Sequence, residues 1–166
     1  MKSVIVLSGG LDSMVSLHRA FSETKIELVL TFNYGQRAAA QEIKASKLLA
    51  QHYGLPHTII ELPWLKAITN TALVNTKTAL PALGETELDD VHGKNLDSAK
   101  AVWVPNRNGV FINIAAAHAE SLGAGLVVVG FNREEAATFP DNSPEFMKAA
   151  NGSLSFSTQN LVEVKS

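Results

Sequence analysis

The sequence predicts an α/β fold of the Rossmann-like type, a three-layer sandwich in which a five-stranded parallel sheet has helices on both faces. Short, unbroken apolar runs alternate along the chain with segments of helical spacing, and strands buried on both faces of a parallel sheet have this apolar character. A glycine-rich turn joins the first apolar run to the first helical segment. We predict that residues 1–166 form a single domain, because a chain of this length suits one hydrophobic core.

The first part of the chain supplies three of the predicted strands and two of the predicted helices. Buried strands are predicted over 3–7, 26–32 and 57–62, with helices from about 12 to 21 and from 36 to 53. Gly54 stands where a helix commonly ends on a left-handed residue, and Pro56 prevents its continuation.

The second part begins with a polar stretch, from about 63 to 104, that lacks clear periodicity. We predict an insertion or a substrate-side lid with short helical pieces there, because a loop this long is commonly functional. Helical spacing then returns in an apolar stripe formed by Phe111, Ile114, Ala115, His118 and Leu122. A strand over 126–131, a helix over 144–156 with Ser143 as its N-cap, and a last strand over 161–164 complete the prediction.

Composition narrows the classes of function. The net charge of −2 gives no broad electrostatic grip on nucleic acid, and no nucleic-acid partner is expected. No apolar run is long enough to span a membrane, and the first strand begins too early for a secretory signal, so a cytoplasmic location is expected. Cysteine is absent and the five histidines form no metal-ligand pattern, so no metal site built from cysteine or histidine is predicted, and no residue is assigned as a permanent metal ligand.

The turn Ser8-Gly9-Gly10-Leu11-Asp12-Ser13 carries the clearest chemistry. Glycines allow the backbone to approach a ligand closely, and the N–H groups of the turn and of the following helix together favour an anion. Ser8 and Ser13 can donate to phosphate oxygens, whereas Asp12 suits a helix first turn or a Mg²⁺ ion that accompanies phosphates. The turn is neither a Walker A loop nor a dinucleotide fingerprint. The competing interpretation is a tight strand-to-helix turn with an aspartate cap.

This turn resembles the pyrophosphate-binding loop of the N-type ATP pyrophosphatases, the PP-loop superfamily. The resemblance implies an adenine nucleotide alpha hydrolase-like fold and cleavage of ATP between its α and β phosphates, with an adenylated substrate as intermediate. It also implies that ATP, with Mg²⁺, is bound by the residues of the turn, in which Asp12 and Ser13 have catalytic roles. The ATP-binding residues predicted on this basis are Leu7, Ser8, Gly9, Gly10, Leu11, Asp12 and Ser13.

Further motifs narrow the resemblance to one family. They are Tyr34-Gly35-Gln36-Arg37, Val104-Pro105-Asn106-Arg107-Asn108, Gly130-Phe131-Asn132 and Phe139-Pro140-Asp141. Together they resemble the 7-cyano-7-deazaguanine synthases of queuosine biosynthesis. The resemblance implies that 7-carboxy-7-deazaguanine and ammonia are converted to the nitrile in two rounds of ATP use, through an adenylated carboxylate and an adenylated amide. It also implies that a homodimer is possible.

The motif positions suggest roles for individual side chains. Arg107 is predicted to clamp phosphate or base and to act in catalysis, the alternative being a surface arginine. Arg37 is predicted to face the ATP phosphates, the alternative being a solvated helix start. The residues predicted to bind the substrate are Tyr34, which can stack or simply pack, Asn106, Asn132, Glu134 and Asp141.

The chain departs from the family pattern at three places. Glu135 stands where the family often has aspartate, and Asn142-Ser143 stand where it has Cys-Arg, which removes a cation. The family's four-cysteine zinc site, beyond the fifth strand, has no counterpart in this chain, which we expect to be a fragment of a longer protein. Two alternatives stay open: a PP-loop adenylating amide ligase for another carboxylate, on a small molecule, tRNA or protein, and a nucleotide-binding module without turnover.

Overall fold

A five-stranded, all-parallel sheet is the centre of the protein. The computed structural model describes residues 1–74, 102–132, 136 and 138–166. The strand order is β3-β2-β1-β4-β5, so the predicted sheet is confirmed. The strands are β1 (Lys2–Val6), β2 (Lys25–Asn33), β3 (His57–Glu61), β4 (Leu126–Val128) and β5 (Glu163–Lys165).

Helices cover both faces of this sheet. Neighbouring strand residues point to opposite faces, so Ile5 of β1 packs with Leu17 of the first helix, whereas Val4 packs with Ile112 and Leu154 on the other side. This confirms the three-layer prediction. The helices are α1 (Leu11–Glu23), α2 (Ala39–His52), α3 (Pro63–Ala67), α4 (Arg107–Ser121) and α5 (Pro144–Ser157), with one turn of 3₁₀ helix at Pro140–Asn142.

Two predicted helix ends are confirmed by their hydrogen bonds. Gly54, at φ +65°, follows α2, where its N–H donates to the Gln51 carbonyl (3.1 Å) and the next N–H donates to Ala50 (2.9 Å). This pair of bonds is the Schellman arrangement, which favours glycine. At the start of α5, the Ser143 hydroxyl accepts the Phe146 N–H at 3.1 Å, so Ser143 is the N-cap.

The apolar stripe predicted for α4 is wrong in part. The buried positions of the helix are Asn108, Ile112, Ala115, Ala116 and Ala119, whereas Leu122 is 40% exposed. The alanines let the helix lie close to the sheet, so the large side chains of the predicted stripe flank the contact instead of forming it. Phe111 turns toward β2, where its ring stacks on Phe32 with centroids 4.1 Å apart.

The last two strands differ from their predicted ranges: β4 is shorter, and β5 begins and ends later along the chain. β4 ends at Val128, and the next residues leave the ladder with single bonds, from the Val129 N–H to the Lys165 carbonyl (2.9 Å) and from the Phe131 N–H to the Ser166 hydroxyl (3.0 Å). β5 begins only at Glu163, because Leu161 has a left-handed backbone (φ 54°). The chain after Val128 is therefore available to form the edge of a site.

Only the two ends of the predicted insertion lie within the described residues. The first end forms the short helix α3, which agrees with the prediction of short helical pieces, and it buries Leu65 against the sheet. Val74, the last residue described at this end, and Val104, at the other end of the predicted insertion, are also buried. The remainder of the predicted lid, 75–101, lies outside the described residues. None of the helices described is long and apolar enough to cross a membrane.

Candidate nucleotide and substrate site

A crevice opens at the carboxyl ends of β1 and β4. β1 lies between β2 and β4 in the sheet, so the chain runs outward in opposite directions from these central strands. This switch of direction is where open α/β sheets bind ligands. A cavity of about 330 Å³ lies there, which we call the nucleotide cavity. It is lined by Val6, Leu7, Ser8, Gly10, Leu11, Asp12, Ser13, Phe32, Tyr34, Glu42, Arg107, Asn108, Phe111, Ile112, Val129, Gly130, Phe131 and Asn142.

The glycine loop has a backbone that excludes larger residues at Gly9. Its φ is +80°, a region that side chains disfavour, and an added Cβ would lie 2.8 Å from the Ala45 Cβ and 2.9 Å from the Glu42 carbonyl oxygen. Helix α2 therefore packs directly behind the loop. This contact fixes the loop against α2.

The hydroxyls of Ser8 and Ser13 hold the loop in shape. They lie 3.1 Å apart, and the Ser13 hydroxyl also donates to the Gly10 carbonyl at 2.9 Å, while the Gly10 N–H donates to the Ser8 hydroxyl at 3.3 Å. No side chain caps α1 at Gly10. The first N–H groups of a helix have no partner within the helix, so this end of α1 can bind an anion in the nucleotide cavity.

Gly130 brings the end of β4 against the start of α1. An added Cβ would lie 2.6 Å from the Ser13 Cα and 2.7 Å from the Ser13 backbone nitrogen. Real Cβ atoms do not approach backbone this closely, so the residue at this position must be glycine for the loop to keep its place. The two central strands thus fix the position of the anion-binding turn together.

Asp12 is the carboxylate of the loop. It is exposed, lies in the first turn of α1 and lines the nucleotide cavity. The Asn132 amide donates to one of its oxygens at 3.4 Å. A negative side chain beside an anion-binding turn suits a bridging cation more than direct contact with a phosphate.

Arg107 enters the cavity from the first turn of α4. Its guanidinium donates to the Tyr34 hydroxyl at 3.5 Å, and Tyr34 is 6% exposed. Burial raises the pKa of Tyr34, while the charge of Arg107 opposes the rise. The phenol is therefore neutral at physiological pH and helps to orient the arginine, which places a fixed positive charge in the cavity.

Buried amides join α4 to the 3₁₀ turn. The Asn108 amide donates to the Asn142 side-chain oxygen at 2.8 Å and to the Asp141 carbonyl at 3.2 Å. Asn142 is one of the departures from the family pattern, and here it has a defined structural role. The bond pair fixes the 3₁₀ turn beside Arg107.

Gln36 and Glu42 are functional candidates to which sequence reasoning assigned no role, although both lie in or near a recognised motif. The buried Gln36 amide donates to a Glu42 carboxylate oxygen at 2.7 Å and to the Phe32 carbonyl at 3.1 Å. Its oxygen accepts the Tyr34 N–H at 3.0 Å. Gln36 thereby positions a second carboxylate in the nucleotide cavity, and its use in this turn explains why α2 begins at Ala39 and not at residue 36.

The structure brings together most of the residues predicted for the site. Of the predicted set, the cavity lining includes Leu7, Ser8, Gly10, Leu11, Asp12, Ser13, Tyr34 and Arg107, and Gly9 lies within the loop behind them. Asn132 is outside this lining and contacts Asp12, and Asp141 lines an adjoining cavity. Arg37 and Asn106 are exposed and are not part of the lining. Glu134, like Glu135, lies outside the described residues.

A series of hydrogen bonds between polar side chains holds Leu7, the residue that precedes the glycine loop. The Leu7 carbonyl accepts the Thr31 hydroxyl at 2.7 Å and the Ser46 hydroxyl at 3.3 Å. His57 Nε2 lies 2.8 Å from the same Thr31 hydroxyl. Because that hydroxyl gives its hydrogen to Leu7, the imidazole Nε2–H must be the donor to Thr31.

Because His57 belongs to this hydrogen-bonded series, the free energy of unfolding is expected to fall at acid pH. Burial, and next the charge of Lys47, lower the pKa of His57 from its ordinary value of 6.5. The unfolded chain binds a proton as the pH falls through that value and the folded chain resists, so the free energy of unfolding is expected to fall with pH until the lowered folded pKa is passed. Urea unfolding at a series of pH values measures this loss, which His57→Gln should remove.

His52→Gln is the matched control, because His52 is exposed on α2. It should keep the pH dependence of the wild type. Parallel stability curves for the wild type and His57→Gln would show that His57 does not contribute as described.

The fold and the crevice define a class of protein, the PP-loop nucleotide-binding α/β proteins. A structural neighbour agrees with the fold: a predicted subunit of tRNA methyltransferase from Methanocaldococcus jannaschii, with a TM-score of 0.54 and 14% identity, over 100% of this chain and 67% of the other. At this identity the likeness concerns the fold alone.

Sequence comparisons identify the family. A family model described as queuosine biosynthesis protein QueC matches residues 2–166. A 7-cyano-7-deazaguanine synthase from Pelotomaculum thermopropionicum is 60% identical over 166 residues, covering 100% of this chain and 75% of the relative. Enzymes of the same name from Desulforamulus reducens (55%, covering 100% of this chain and 72% of the relative) and Methanosarcina mazei (48%, covering 99% and 72%) are also similar. The chain belongs to the QueC family, which confirms the resemblance to the 7-cyano-7-deazaguanine synthases. It is therefore an enzyme of the ligase type, the class that forms carbon–nitrogen bonds.

Proposed function

We propose that this chain catalyses the ATP-dependent conversion of 7-carboxy-7-deazaguanine and ammonia to 7-cyano-7-deazaguanine in queuosine biosynthesis. The observation that carries the proposal is that an anion-binding turn, Asp12 and Arg107 line one cavity at the carboxyl ends of β1 and β4. The name of the relatives, one of them 60% identical, supplies the product, 7-cyano-7-deazaguanine. The acid, ATP and ammonia are the reactants that the resemblance implies.

In the proposed complex, the loop N–H groups and the positive end of α1 hold the ATP phosphates. Asp12 and Glu42 would hold a Mg²⁺ ion, which balances the charge of the departing pyrophosphate. The fit is reasonable because Mg²⁺ keeps several waters and needs only one or two protein carboxylates beside the phosphates. The described residues contain no cluster of three or more His, Cys, Asp or Glu side chains that would form a cage for a metal.

The reaction proceeds in two rounds. A carboxylate oxygen attacks the α-phosphorus of ATP while the bond to pyrophosphate breaks, and ammonia then displaces AMP to leave an amide. The amide oxygen attacks a second ATP in the same way, and loss of AMP and of both amide N–H protons leaves the nitrile. Arg107 and the Ser13 hydroxyl assist by offsetting the negative charge that develops around the α-phosphate, in a site whose dipoles are already oriented.

Several residue roles are part of this proposal. Tyr34 orients Arg107, and Asn132 contacts the substrate from its place beside Asp12. The predicted contacts of Arg37 with phosphate, and of Asn106 and Glu134 with the substrate, stay predictions. The proposed partners are the small-molecule acid and ammonia, with no nucleic acid, and the proposed location is the cytoplasm. The homodimer also stays a prediction.

A second candidate is a PP-loop amide ligase that acts on another carboxylate. Ser143 favours it, because the residue caps α5 where the family pattern supplies an arginine. A cation is therefore missing near Asp141, where a different acid could be accommodated. A nucleotide-binding module without turnover is the third candidate.

Pyrophosphate release separates the three candidates. With ATP, ammonia and 7-carboxy-7-deazaguanine, release is expected to require the acid, with two pyrophosphates for each nitrile formed. Release with a different acid only would support the second candidate, and binding of ATP without release would support the third. Release that is equal with and without any acid would contradict the proposed reaction.

A further inference from the structure

A second cavity adjoins the nucleotide cavity. It has a volume of about 230 Å³ and is lined by Leu73, Val102, Trp103, Val104, Arg107, Phe139 and Asp141. We call it the aromatic cavity. Arg107 belongs to both linings, so its guanidinium stands at the boundary between the two spaces. A molecule held in the aromatic cavity could therefore present an acidic group to Arg107 and to a nucleotide beyond it.

Two aromatic rings give this cavity flat walls. The rings of Trp103 and Phe139 are inclined by only 12°, and their centroids are 6.4 Å apart. This is the range of offset-stacked aromatic rings. Leu73 and Val104 complete an apolar lining, so the cavity suits a flat, largely apolar body such as a heteroaromatic ring.

Besides Arg107, the described residues of the lining include one other charged side chain, Asp141. The Oδ1 atom of Asp141 is buried and has no hydrogen-bond partner within the described part of the chain. Burial raises the pKa of Asp141, while the charge of Arg107 and hydrogen bonds from the backbone N–H groups of Asp141 and Asn108 to the carboxyl oppose the rise. A buried carboxylate oxygen left without a donor is costly, so the Asp141 carboxylate would be stabilised by a ligand that brings N–H groups to this side of the cavity.

We propose that the aromatic cavity binds the ring of the substrate, with the ring stacked on Trp103 and Phe139 and its N–H edge donating to Asp141. The acidic substituent of the ring then faces Arg107 and the nucleotide cavity. A guanine-type edge fits this requirement, because a ring N–H and the neighbouring amino group can both donate to one carboxylate. This assignment rests on the proposed function and names the residues that select the substrate.

The selection has a chemical consequence. A ring that carries the acidic group but lacks the amino and N–H donors leaves the Asp141 Oδ1 atom without a donor when it enters the cavity. Sites that hold buried polar groups reject such analogues strongly. The aromatic cavity should therefore discriminate a guanine-like acid from a simple aromatic acid that lacks these donors.

Fluorescence of Trp103 tests the stacking directly. The chain has two tryptophans, Trp64 and Trp103, and Trp64 is 49% exposed on α3, away from the aromatic cavity. In a Trp64→Phe variant, Trp103 is the single tryptophan, and titration with 7-carboxy-7-deazaguanine is expected to change its emission. Benzoate, an acid without the donor edge, should bind at least about tenfold more weakly.

Steady-state kinetics test the role of each wall. Asp141→Asn and Phe139→Leu are each expected to raise the KM for the ring acid by about tenfold, because a charged hydrogen bond or a stacking contact is lost. The KM for ATP should change little. Phe156→Leu is the matched control, since Phe156 is 94% exposed on α5, and it should behave as the wild type.

The outcomes distinguish this assignment from the proposed reaction. If the wild type releases pyrophosphate only with the ring acid, but Trp103 emission is unchanged and both variants keep the wild-type KM for the acid, the aromatic cavity is not the ring site. If the wild type shows no release that depends on the ring acid and does not bind it, the proposed reaction and this assignment both fail. A change of emission together with a raised KM in both variants supports the assignment.

Discussion

Replacement of Asp12 with alanine is expected to lower ATP turnover in the presence of the substrate acid by about a hundredfold or more. This is the cost of losing one preorganised electrostatic group in an active site. Asp12 lines the nucleotide cavity and is proposed to hold the Mg²⁺ that neutralises the pyrophosphate. Its loss from the first turn of α1 removes only a favourable helix-dipole interaction of about 0.3–1 kcal/mol. The midpoint of thermal denaturation should therefore fall by only about a few degrees, while turnover is largely lost.

Glu23→Ala provides the matched control at the other end of the same helix. Glu23 is exposed and pairs with Arg19 across a single turn, at 3.0 Å, and it does not line the nucleotide cavity. Such surface pairs contribute little to stability. The control should keep wild-type turnover. Intact turnover in Asp12→Ala, or a loss of stability as large as the loss of turnover, would show that the role given to Asp12 is wrong.

Replacement of Gly130 with alanine is expected to reduce both activity and stability. The new Cβ would lie 2.6 Å from the Ser13 Cα, and a backbone neighbour cannot turn aside as a flexible side chain can. The start of α1 must move away from β4, which displaces the glycine loop. Overpacking of this kind typically costs about 1–3 kcal/mol, and a displacement of about 1 Å at a reacting centre can cost a hundredfold in rate.

Gly152→Ala is the control for this substitution. Gly152 lies within α5, and an added Cβ would meet nothing within 4 Å. Alanine in a helix interior is favoured over glycine by up to about 1 kcal/mol, so this variant should be more stable than the wild type and equally active. Urea unfolding and pyrophosphate release measure both variants. Wild-type values for Gly130→Ala would mean that the contact with Ser13 does not fix the loop.

Much of the fold could be predicted because its causes are local. Continuous apolar runs such as 26–32 belong to strands buried on both faces, and Gly54 and Ser143 end or begin helices through bonds with their immediate neighbours. The face of α4 could not be predicted in the same way. Its contact with the sheet depends on small residues at Ala115, Ala116 and Ala119, which carry a weak hydrophobic signal but allow close approach.

The candidate site follows the same division. The glycine loop is contiguous in the chain and follows a predicted strand, so the sequence could place Asp12 in the site. Arg107 is assigned to the same site by the resemblance of its motif to the family. The bond between Asn108 and Asn142 joins segments that are far apart in sequence, and only the fold brings them into contact. The same reason explains why the pairing of Trp103 with Phe139 was not foreseen.

Transfer of carboxylate oxygen to AMP is the most direct sign that ATP is attacked at its α-phosphorus. The measurement uses 7-carboxy-7-deazaguanine with heavy oxygen at both carboxylate positions, together with ATP and ammonia, and mass spectrometry of the nucleotide and pyrophosphate products. The first adenylation takes one of these oxygens and the second takes the other from the amide. Every AMP is therefore expected to carry one heavy oxygen and the pyrophosphate none, whereas unlabelled AMP, or heavy oxygen in pyrophosphate or phosphate, would contradict adenylation at this site.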